Sequence, residues 1–142
     1  MIQPITPGQT EPQVSEHHRR LRLDHITQRI IRCAHAVSNG LGPGFLEKVY
    51  ENALGLELEL VGLRATQQRR IEVTYRNVVV GDFVADLLVD DCVLVEIKAV
   101  KALDDIFTAQ CMNYLKATGL QVCLLVNFGT PKATVKRVVL GF

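Results

Sequence analysis

The sequence predicts an α/β protein in which one mixed β-sheet is flanked by helices. Helical segments and segments rich in Val and Ile follow one another in the order α, α, β, β, β, α, β, β. A helix separates the third strand from the fourth, and such a crossover is right-handed and makes the two strands parallel. The 142 residues have room for one domain of this kind with a single core.

Two helices are predicted after an N-terminal tail. Residues 1–20 are expected to be a flexible tail, because they hold three of the five prolines and little apolar periodicity. The domain then covers residues 21–142. Apolar residues recur at helical spacing over residues 21–39, and a second helix is predicted for residues 45–61, after the helix breakers of residues 40–44 and before Gly62.

The remaining elements are five strands and one helix. Val and Ile are frequent in three segments that polar turns separate, which predicts an antiparallel meander. Two acidic residues suit the start of the third helix and Gly119 suits its end. The predicted strands cover residues 69–76, 78–89, 92–99, 121–128 and 134–140, and the third helix covers residues 106–117.

Charge and composition exclude several classes of protein. The formal net charge is +1, which is unlike proteins that coat nucleic acid without specificity. No apolar run reaches the roughly 18 residues of a membrane span, and no signal peptide is recognisable, so a cytoplasmic location is expected. The four cysteines show no spacing typical of zinc or iron–sulfur sites and are expected to be reduced thiols.

Charged residues interrupt two segments that otherwise have the pattern of buried strands. Asp86 lies within the second strand, and Glu96 and Lys98 lie within the third. Side chains alternate along a strand, so Glu96 and Lys98 share one face, and Asp86 lies near Glu96 if the register of the hairpin places both there. A buried charge costs several kcal/mol unless it is paired or bound to a cation.

This cluster allows two interpretations. Two neighbouring carboxylates raise each other's pKa or recruit a divalent cation such as Mg²⁺, and an adjacent lysine could then contact a phosphate or orient a water molecule. Alternatively, the three residues form a buried ion pair without a catalytic role. Two helices add polar pairs on one face each, Glu47 with Tyr50 and Gln110 with Tyr114.

Five motifs in this order resemble those of the GxxExxY proteins, a group within the PD-(D/E)xK nuclease-like superfamily. They are Gly44-x-x-Glu47-x-x-Tyr50, Asp86, Glu96-x-Lys98, Gln110-x-x-x-Tyr114 and Asn127-Phe128-Gly129. The resemblance covers about residues 26–139. It implies a restriction-endonuclease-like αβββαβ core, here with an additional N-terminal helix and a C-terminal strand.

The resemblance also implies roles for individual residues. Asp86, Glu96 and the backbone carbonyl of Ile97 would hold Mg²⁺ or Mn²⁺, and Lys98 would lie beside the attacking water. Glu47 would complete the metal site directly or through water, and Gln110 and Tyr114 would line it. No iron–sulfur cluster is expected.

The implied function is metal-dependent hydrolysis of phosphodiester bonds in DNA or RNA. Two alternatives remain, a non-catalytic binding or assembly module that keeps the nuclease fold and a hydrolase of a smaller phosphate compound. Candidate substrate contacts, which could equally be solvated surface charges, are Arg69, Arg70, Lys101 and Lys116. The apolar face of the first helix could form a homodimer or pack on its own sheet, and it includes Ile26, Ile30 and Val37.

Overall fold

The computed structural model describes residues 15–141 and contains the eight predicted elements in the predicted order. The helices are α1 (Glu16–Leu41), α2 (Glu47–Leu60) and α3 (Asp105–Thr118). The strands are β1 (Ala65–Tyr75), β2 (Val78–Val89), β3 (Val93–Lys98), β4 (Val122–Asn127) and β5 (Thr134–Val139). Most bounds differ from the prediction by one to four residues, because apolar patterns locate the centre of an element better than its ends.

The five strands form one mixed sheet in the order β1-β2-β3-β4-β5. β3 and β4 are parallel and are joined through α3, and the other neighbouring strands are antiparallel. The predicted fold class, a mixed sheet flanked by helices, is therefore confirmed. The central strands β3 and β4 are almost entirely buried, as expected for strands that helices cover on both faces.

Each face of the sheet has its own apolar core. Val93, Val95 and Ile97 of β3 pack in the cluster that contains buried residues of α1 and α2. Leu94, on the opposite face, packs in the cluster that contains Cys111 of α3. By the same alternation, the side chains of Glu96 and Lys98 are directed to the α3 face of the sheet.

Helix α1 begins at Glu16, so residues 16–20 are helical and do not belong to a tail as predicted. The side chain of Ser15 accepts a hydrogen bond from the backbone N–H of His18, which caps the helix, and Glu16 forms ion pairs with Arg19 and Arg20. These local contacts extend the helix beyond its apolar stripe. Residues 1–14 of the predicted tail lie outside the described residues.

The apolar face of α1 is part of the core. Ile26, Ile30 and Val37 are each less than 5% exposed and pack in the cluster beneath α1 and α2. The structure therefore decides between the two alternatives for this face, and the interpretation as a dimer surface is wrong. Within residues 15–141, no helix combines the length and apolar character that crossing a membrane requires.

Candidate active site

The candidate site lies where β2 and β3 separate. The ladder between these strands covers Leu87 with Val95, Leu88 with Leu94 and Val89 with Val93, and the next opposed residues are Asp86 and Glu96. This separation of two strands that are paired at one end is named the fork below. Both carboxylates predicted from the sequence therefore lie together, as the hairpin register required.

At the fork, the two carboxylates take the place of ladder hydrogen bonds. The backbone N–H of Asp86 donates to Oε1 of Glu96 over 2.9 Å, and the backbone N–H of Ile97 donates to Oδ2 of Asp86 over 2.7 Å. The carbonyl of a strand residue points to the same side as its N–H, so the carbonyl of Ile97 also faces the fork. The two acids therefore lie together at the fork, and the N–H of Ile97 is bound to one of them.

Burial and nearby negative charges disfavour the charged forms of both acids. Glu96 is only 3% exposed, and its burial, together with the negative charge of Asp86, raises its pKa to about 8. The pKa of Asp86 is also raised, mainly by burial and then by the charges of Glu51 and Glu47. A cation at the fork would relieve this repulsion, since it favours the ionised form of each carboxyl group.

Lys98 lies two residues beyond Glu96 and is half-buried. Its ammonium lies 4.5 Å from the centre of the Phe107 ring, a cation–π contact with helix α3. Its positive charge also acts against the rise in pKa of both Asp86 and Glu96. Lys98 is therefore near the two acids, but its ammonium contacts the ring of Phe107 and not the carboxylates.

The Asn127-Phe128-Gly129 motif fixes the backbone that leaves the fork. Oδ1 of Asn127 accepts hydrogen bonds from the N–H groups of Val100 and Gly129, each over 3.0 Å, and its Nδ2 donates to the carbonyl of Val100 over 2.9 Å. The N–H of Phe128 donates to the carbonyl of Lys98 over 2.8 Å. A Cβ at Gly129 would overlap the backbone of Val100, which explains the glycine. The motif therefore has a structural role.

Helix α2 approaches the fork with its N-terminal end. Glu47 is its first residue and is exposed, and its negative charge raises the pKa of both Asp86 and Glu96. Glu47 is therefore close enough to act electrostatically on both acids.

Tyr50 is completely buried and does not face the fork. Its hydroxyl donates to the carbonyl of Gly42 over 2.6 Å and accepts from the N–H of Phe45 over 3.2 Å, and its ring stacks on Phe128 at 4.7 Å. The tyrosine of the Gly44-x-x-Glu47-x-x-Tyr50 motif thus holds the loop that precedes α2.

A second glutamate of α2, Glu51, was not predicted. It is buried, and its carboxylate accepts hydrogen bonds from Lys48 at 2.8 Å, Gln67 at 2.7 Å and Gln68 at 2.6 Å. The β1–β2 ladder pairs Gln67 with Leu87 and Arg69 with Ala85, and it leaves out Gln68, whose φ of 54° interrupts the regular strand there. The available signal was the spacing of Glu51 four residues after Glu47, which places both on one side of the helix.

Gln110 and Tyr114 of α3 border the fork from the other face of the sheet. Nε2 of Gln110 donates to the hydroxyl of Tyr114 over 2.8 Å, and this hydroxyl donates to the carbonyl of Val84 over a long 3.4 Å. The pKa of Tyr114 is raised by burial and then by the charges of Glu96 and Asp86. The hydroxyl therefore stays protonated and is close enough to the carboxylates to respond to them.

The four basic residues suggested as substrate contacts occupy different surroundings. Arg70 is bound by Asp82 at 2.9 Å and Glu72 at 3.6 Å, so carboxylates already neutralise its charge. Arg69 and Lys116 are exposed and line separate surface cavities, and Lys101 is exposed in the segment that follows β3. None of these four residues belongs to the five sequence motifs, and all four are exposed.

The donor set at the fork fits a hard divalent cation that keeps part of its water. Backbone N–H groups occupy one oxygen of each carboxylate, and among residues 15–141 no donor of the protein hydrogen-bonds to Oδ1 of Asp86 or Oε2 of Glu96. In the same part of the chain, no group of three or more His, Cys, Asp or Glu side chains is close enough to enclose a metal. One or two carboxylates completed by water and substrate phosphate are the usual ligands of Mg²⁺.

Comparison with known proteins identifies the family. The family model of the PD-(D/E)XK nuclease superfamily matches residues 24–138. The chain belongs to this superfamily. The solved structure of an alkaline exonuclease from Laribacter hongkongensis is similar, with a TM-score of 0.51 and 16% sequence identity, over 89% of this chain and 71% of the exonuclease. No curated protein sequence matches significantly.

The likeness to the exonuclease concerns the fold. At 16% identity it shows a similar arrangement of sheet and helices and leaves the substrate of this chain open. Membership of the superfamily is established by the sequence match, which includes α2, the fork and the Asn127-Phe128-Gly129 segment. The predicted superfamily is therefore confirmed.

Proposed function

We propose that the protein is a metal-dependent nuclease of the GxxExxY type that hydrolyses phosphodiester bonds of DNA or RNA. The observation that carries this proposal is the convergence of Asp86 and Glu96 at the fork, with Lys98 on the same strand as Glu96. Membership of the PD-(D/E)XK superfamily supports it. All the acidic and basic groups that such chemistry requires are present in the chain.

The residues that would hold Mg²⁺ or Mn²⁺ are Asp86, Glu96 and the carbonyl of Ile97, with Glu47 reaching the site through water. A divalent cation bound there supplies positive charge that offsets the charge of the phosphate and makes water a stronger acid. Backbone hydrogen bonds hold both carboxylates in position before a cation binds. Their geometry therefore does not depend on mobile side-chain partners.

Lys98 would orient the attacking water and contact the scissile phosphate. Its backbone is fixed by Phe128, whereas its ammonium rests on the ring of Phe107. A cation–π contact of this kind contributes about 0.5–2 kcal/mol, so an incoming phosphate can compete for the ammonium. Lysine is suited to this role because it is a compact charge with three donors on a flexible stem.

Gln110 and Tyr114 would bind and orient the substrate beside the carboxylates. The hydroxyl of Tyr114 keeps its proton because its pKa is raised, and its present bond to the carbonyl of Val84 is long. It can therefore donate to a phosphate oxygen while Gln110 holds it in place. Arg69, Lys101 and Lys116 remain candidate contacts to more distant phosphates, since exposed cations near a nucleic-acid path add salt-dependent affinity.

The decisive experiment measures cleavage of single- and double-stranded DNA and RNA with Mg²⁺ or Mn²⁺. Glu96→Gln and Lys98→Met are compared with Lys132→Met, which removes an exposed lysine between β4 and β5 to which no role at the fork is assigned. We expect metal-dependent cleavage that both site variants reduce at least about 100-fold and the control leaves unchanged. If folded wild-type protein cleaves none of the substrates and calorimetry detects no cation binding, the proposal fails, and a non-catalytic module remains.

A further inference from the structure

A surface cavity of about 400 Å³ lies between the β1–β2 hairpin and helix α3. β3 pairs only with residues 87–89 of β2, so the earlier part of the hairpin extends beyond the central sheet. This cavity is named the hairpin cavity below, and its volume is in the range of sites that bind small organic groups. It is lined by Val73, Thr74, Phe83, Asn113, Lys116 and Ala117.

Phe83 gives the hairpin cavity an aromatic wall. It is 45% exposed, although it is a large apolar residue within a strand. Its ring contacts the ring of Tyr114, with the two centroids 6.0 Å apart and the planes inclined by 51°. The part of the ring that lines the cavity is open to a ligand. An open aromatic ring can stack with a nucleobase of any kind, because every base has a π-face.

The polar residues of the cavity have no partner within the chain. Asn113 and Lys116 are three residues apart on α3, and both are exposed. Among residues 15–141, Lys116 forms no ion pair and the side chain of Asn113 forms no hydrogen bond. An amide offers donors and an acceptor to the edge of a base, and an ammonium binds phosphate. The cavity therefore offers the groups that proteins use to bind unpaired nucleotides.

The hairpin cavity is connected to the fork through Tyr114. The hydroxyl of Tyr114 donates to the carbonyl of Val84, which directly follows Phe83, and Asp86 lies three residues after Phe83. Three residues of a strand span about 10 Å, the length of about three stacked nucleotides at 3.4 Å each. A base in the cavity would therefore belong to a nucleotide close to the one whose phosphate lies at the fork.

A second cavity lies beyond the pair formed by Gln110 and Tyr114. Gln110 lines it together with Lys98, Ile106 and Phe107. A phenylalanine and a lysine thus line a cavity on each side of this pair. From Phe107 to Lys116 helix α3 rises about 14 Å, so a few nucleotides of one strand are long enough to reach from one cavity to the other.

We infer that the hairpin cavity binds one unpaired base of a single-stranded nucleic acid, with the base stacked on Phe83 and the adjoining phosphate at Lys116. This inference rests on the proposed function, because the strand that it describes is the substrate at the fork. A base within a duplex is stacked and paired, so it reaches such a cavity only after it leaves the stack. The substrate class is therefore single-stranded DNA or RNA and not intact duplex.

Binding of short oligonucleotides tests the inference without cleavage. All variants are made in the Glu96→Gln protein, so that the probe stays intact, and fluorescence anisotropy measures binding of labelled single strands of about 12 nucleotides and of their duplexes. We expect Phe83→Ala and Phe83→Leu to weaken single-strand binding at least about fivefold, whereas Phe83→Tyr retains it because its ring still stacks. Tyr75→Ala is the matched control, since Tyr75 is an exposed aromatic residue of the same hairpin that does not line the cavity. Circular dichroism verifies that each variant is folded.

Removal of single bases from the probe tests the stacking directly. An abasic site at one position should weaken binding when Phe83 is present, and the same abasic site should have no effect in Phe83→Ala, because the two changes remove the same contact. Lys116→Met should weaken binding of all sequences about equally and reduce its salt dependence, as expected for a phosphate contact.

Two results would overturn the inference and leave the proposed nuclease function intact. One is a cleaving protein whose Phe83→Ala and Phe83→Leu variants bind single strands as tightly as the protein with Phe83. The other is a duplex that binds as tightly as the single strand and is weakened equally by both changes. If the protein binds no nucleic acid and cleaves none, both this inference and the proposed function fail.

Discussion

The carboxylates of Asp86 and Glu96 each accept a hydrogen bond from the backbone of the other residue's strand. The N–H of Asp86 donates to the Glu96 carboxylate, and the N–H of Ile97, the residue after Glu96, donates to the Asp86 carboxylate. Two like charges are therefore held together by backbone groups that would otherwise pair in the ladder. In the folded chain the pKa values of both carboxyl groups are therefore raised.

The stability of the metal-free protein should decrease as the pH rises from about 5 to about 8. The pKa of Glu96 is 4.5 when exposed and about 8 in the folded chain, so the folded state binds more protons than the unfolded state between these values. The contribution of Glu96 to the free energy of unfolding is therefore largest below pH 4.5. It decreases as the pH rises from 4.5 to about 8. Urea unfolding at a series of pH values measures it.

Glu96→Gln should flatten this pH dependence, because the amide cannot ionise, whereas Glu59→Gln on the exposed side of α2 should not. Addition of Mg²⁺ at pH 8 should stabilise the wild type more than Glu96→Gln, since the ion binds the folded state. A wild-type profile that rises between pH 5 and pH 8 would contradict the assignment of the raised pKa to this carboxyl group.

Gly129→Ala should destabilise the fold by at least about 2 kcal/mol, because the added Cβ overlaps the backbone of Val100. Gly40→Ala is the matched control. It lies within α1 with open space around the added atom, and alanine should stabilise that helix by up to about 1 kcal/mol. Chemical denaturation of the two variants should therefore give changes of opposite sign, and equal changes would be inconsistent with the close approach.

Asn127→Ala should cost about 2–4 kcal/mol of stability, since it removes three hydrogen bonds and leaves groups of Val100 and Gly129 without their partner. Asn113→Ala, at an exposed position of α3, should change stability by less than about 0.5 kcal/mol. The measurement is the urea midpoint of each variant. A loss as small as that of Asn113→Ala would show that the Asn127 contacts are dispensable.

Tyr50→Phe should destabilise by about 1–2 kcal/mol, because the ring still stacks on Phe128 but the hydrogen bonds to Gly42 and Phe45 are lost. Tyr75→Phe removes a hydroxyl from a side chain that is 65% exposed and should be neutral. Thermal unfolding compares the two. If the nuclease activity proposed above is present, Tyr50→Phe should retain it under stabilising conditions, since the hydroxyl does not face the fork.

The sequence was sufficient to predict the order of the elements and the two central acids. Periodicity locates helices and strands, and an acid within a buried strand is conspicuous, so Asp86 and Glu96 could be found without a structure. The hairpin register, however, decides whether they meet, and no local pattern determines it.

Residues whose role depends on distant segments were harder to assign. In the sequence, nothing distinguishes Glu51 from a solvent-exposed helical glutamate. Its role depends on hydrogen bonds from Gln67 and Gln68, which lie on β1. The dimer hypothesis on α1 was wrong because apolar periodicity marks a packing face but does not indicate whether the face packs within one chain or between two.

The bonds that hold Val100 have a consequence for how this protein can be altered. The chain is fixed at Val100 by Asn127 and is fixed again at Asp104, whose side chain caps α3 by accepting from the N–H of Ile106. Between these two anchors Lys101 and Ala102 are exposed, whereas Leu103 packs against the core cluster on the α3 face of the sheet. We therefore expect a short insertion after Lys101, in the segment that follows β3, to leave the sheet and α3 in their positions.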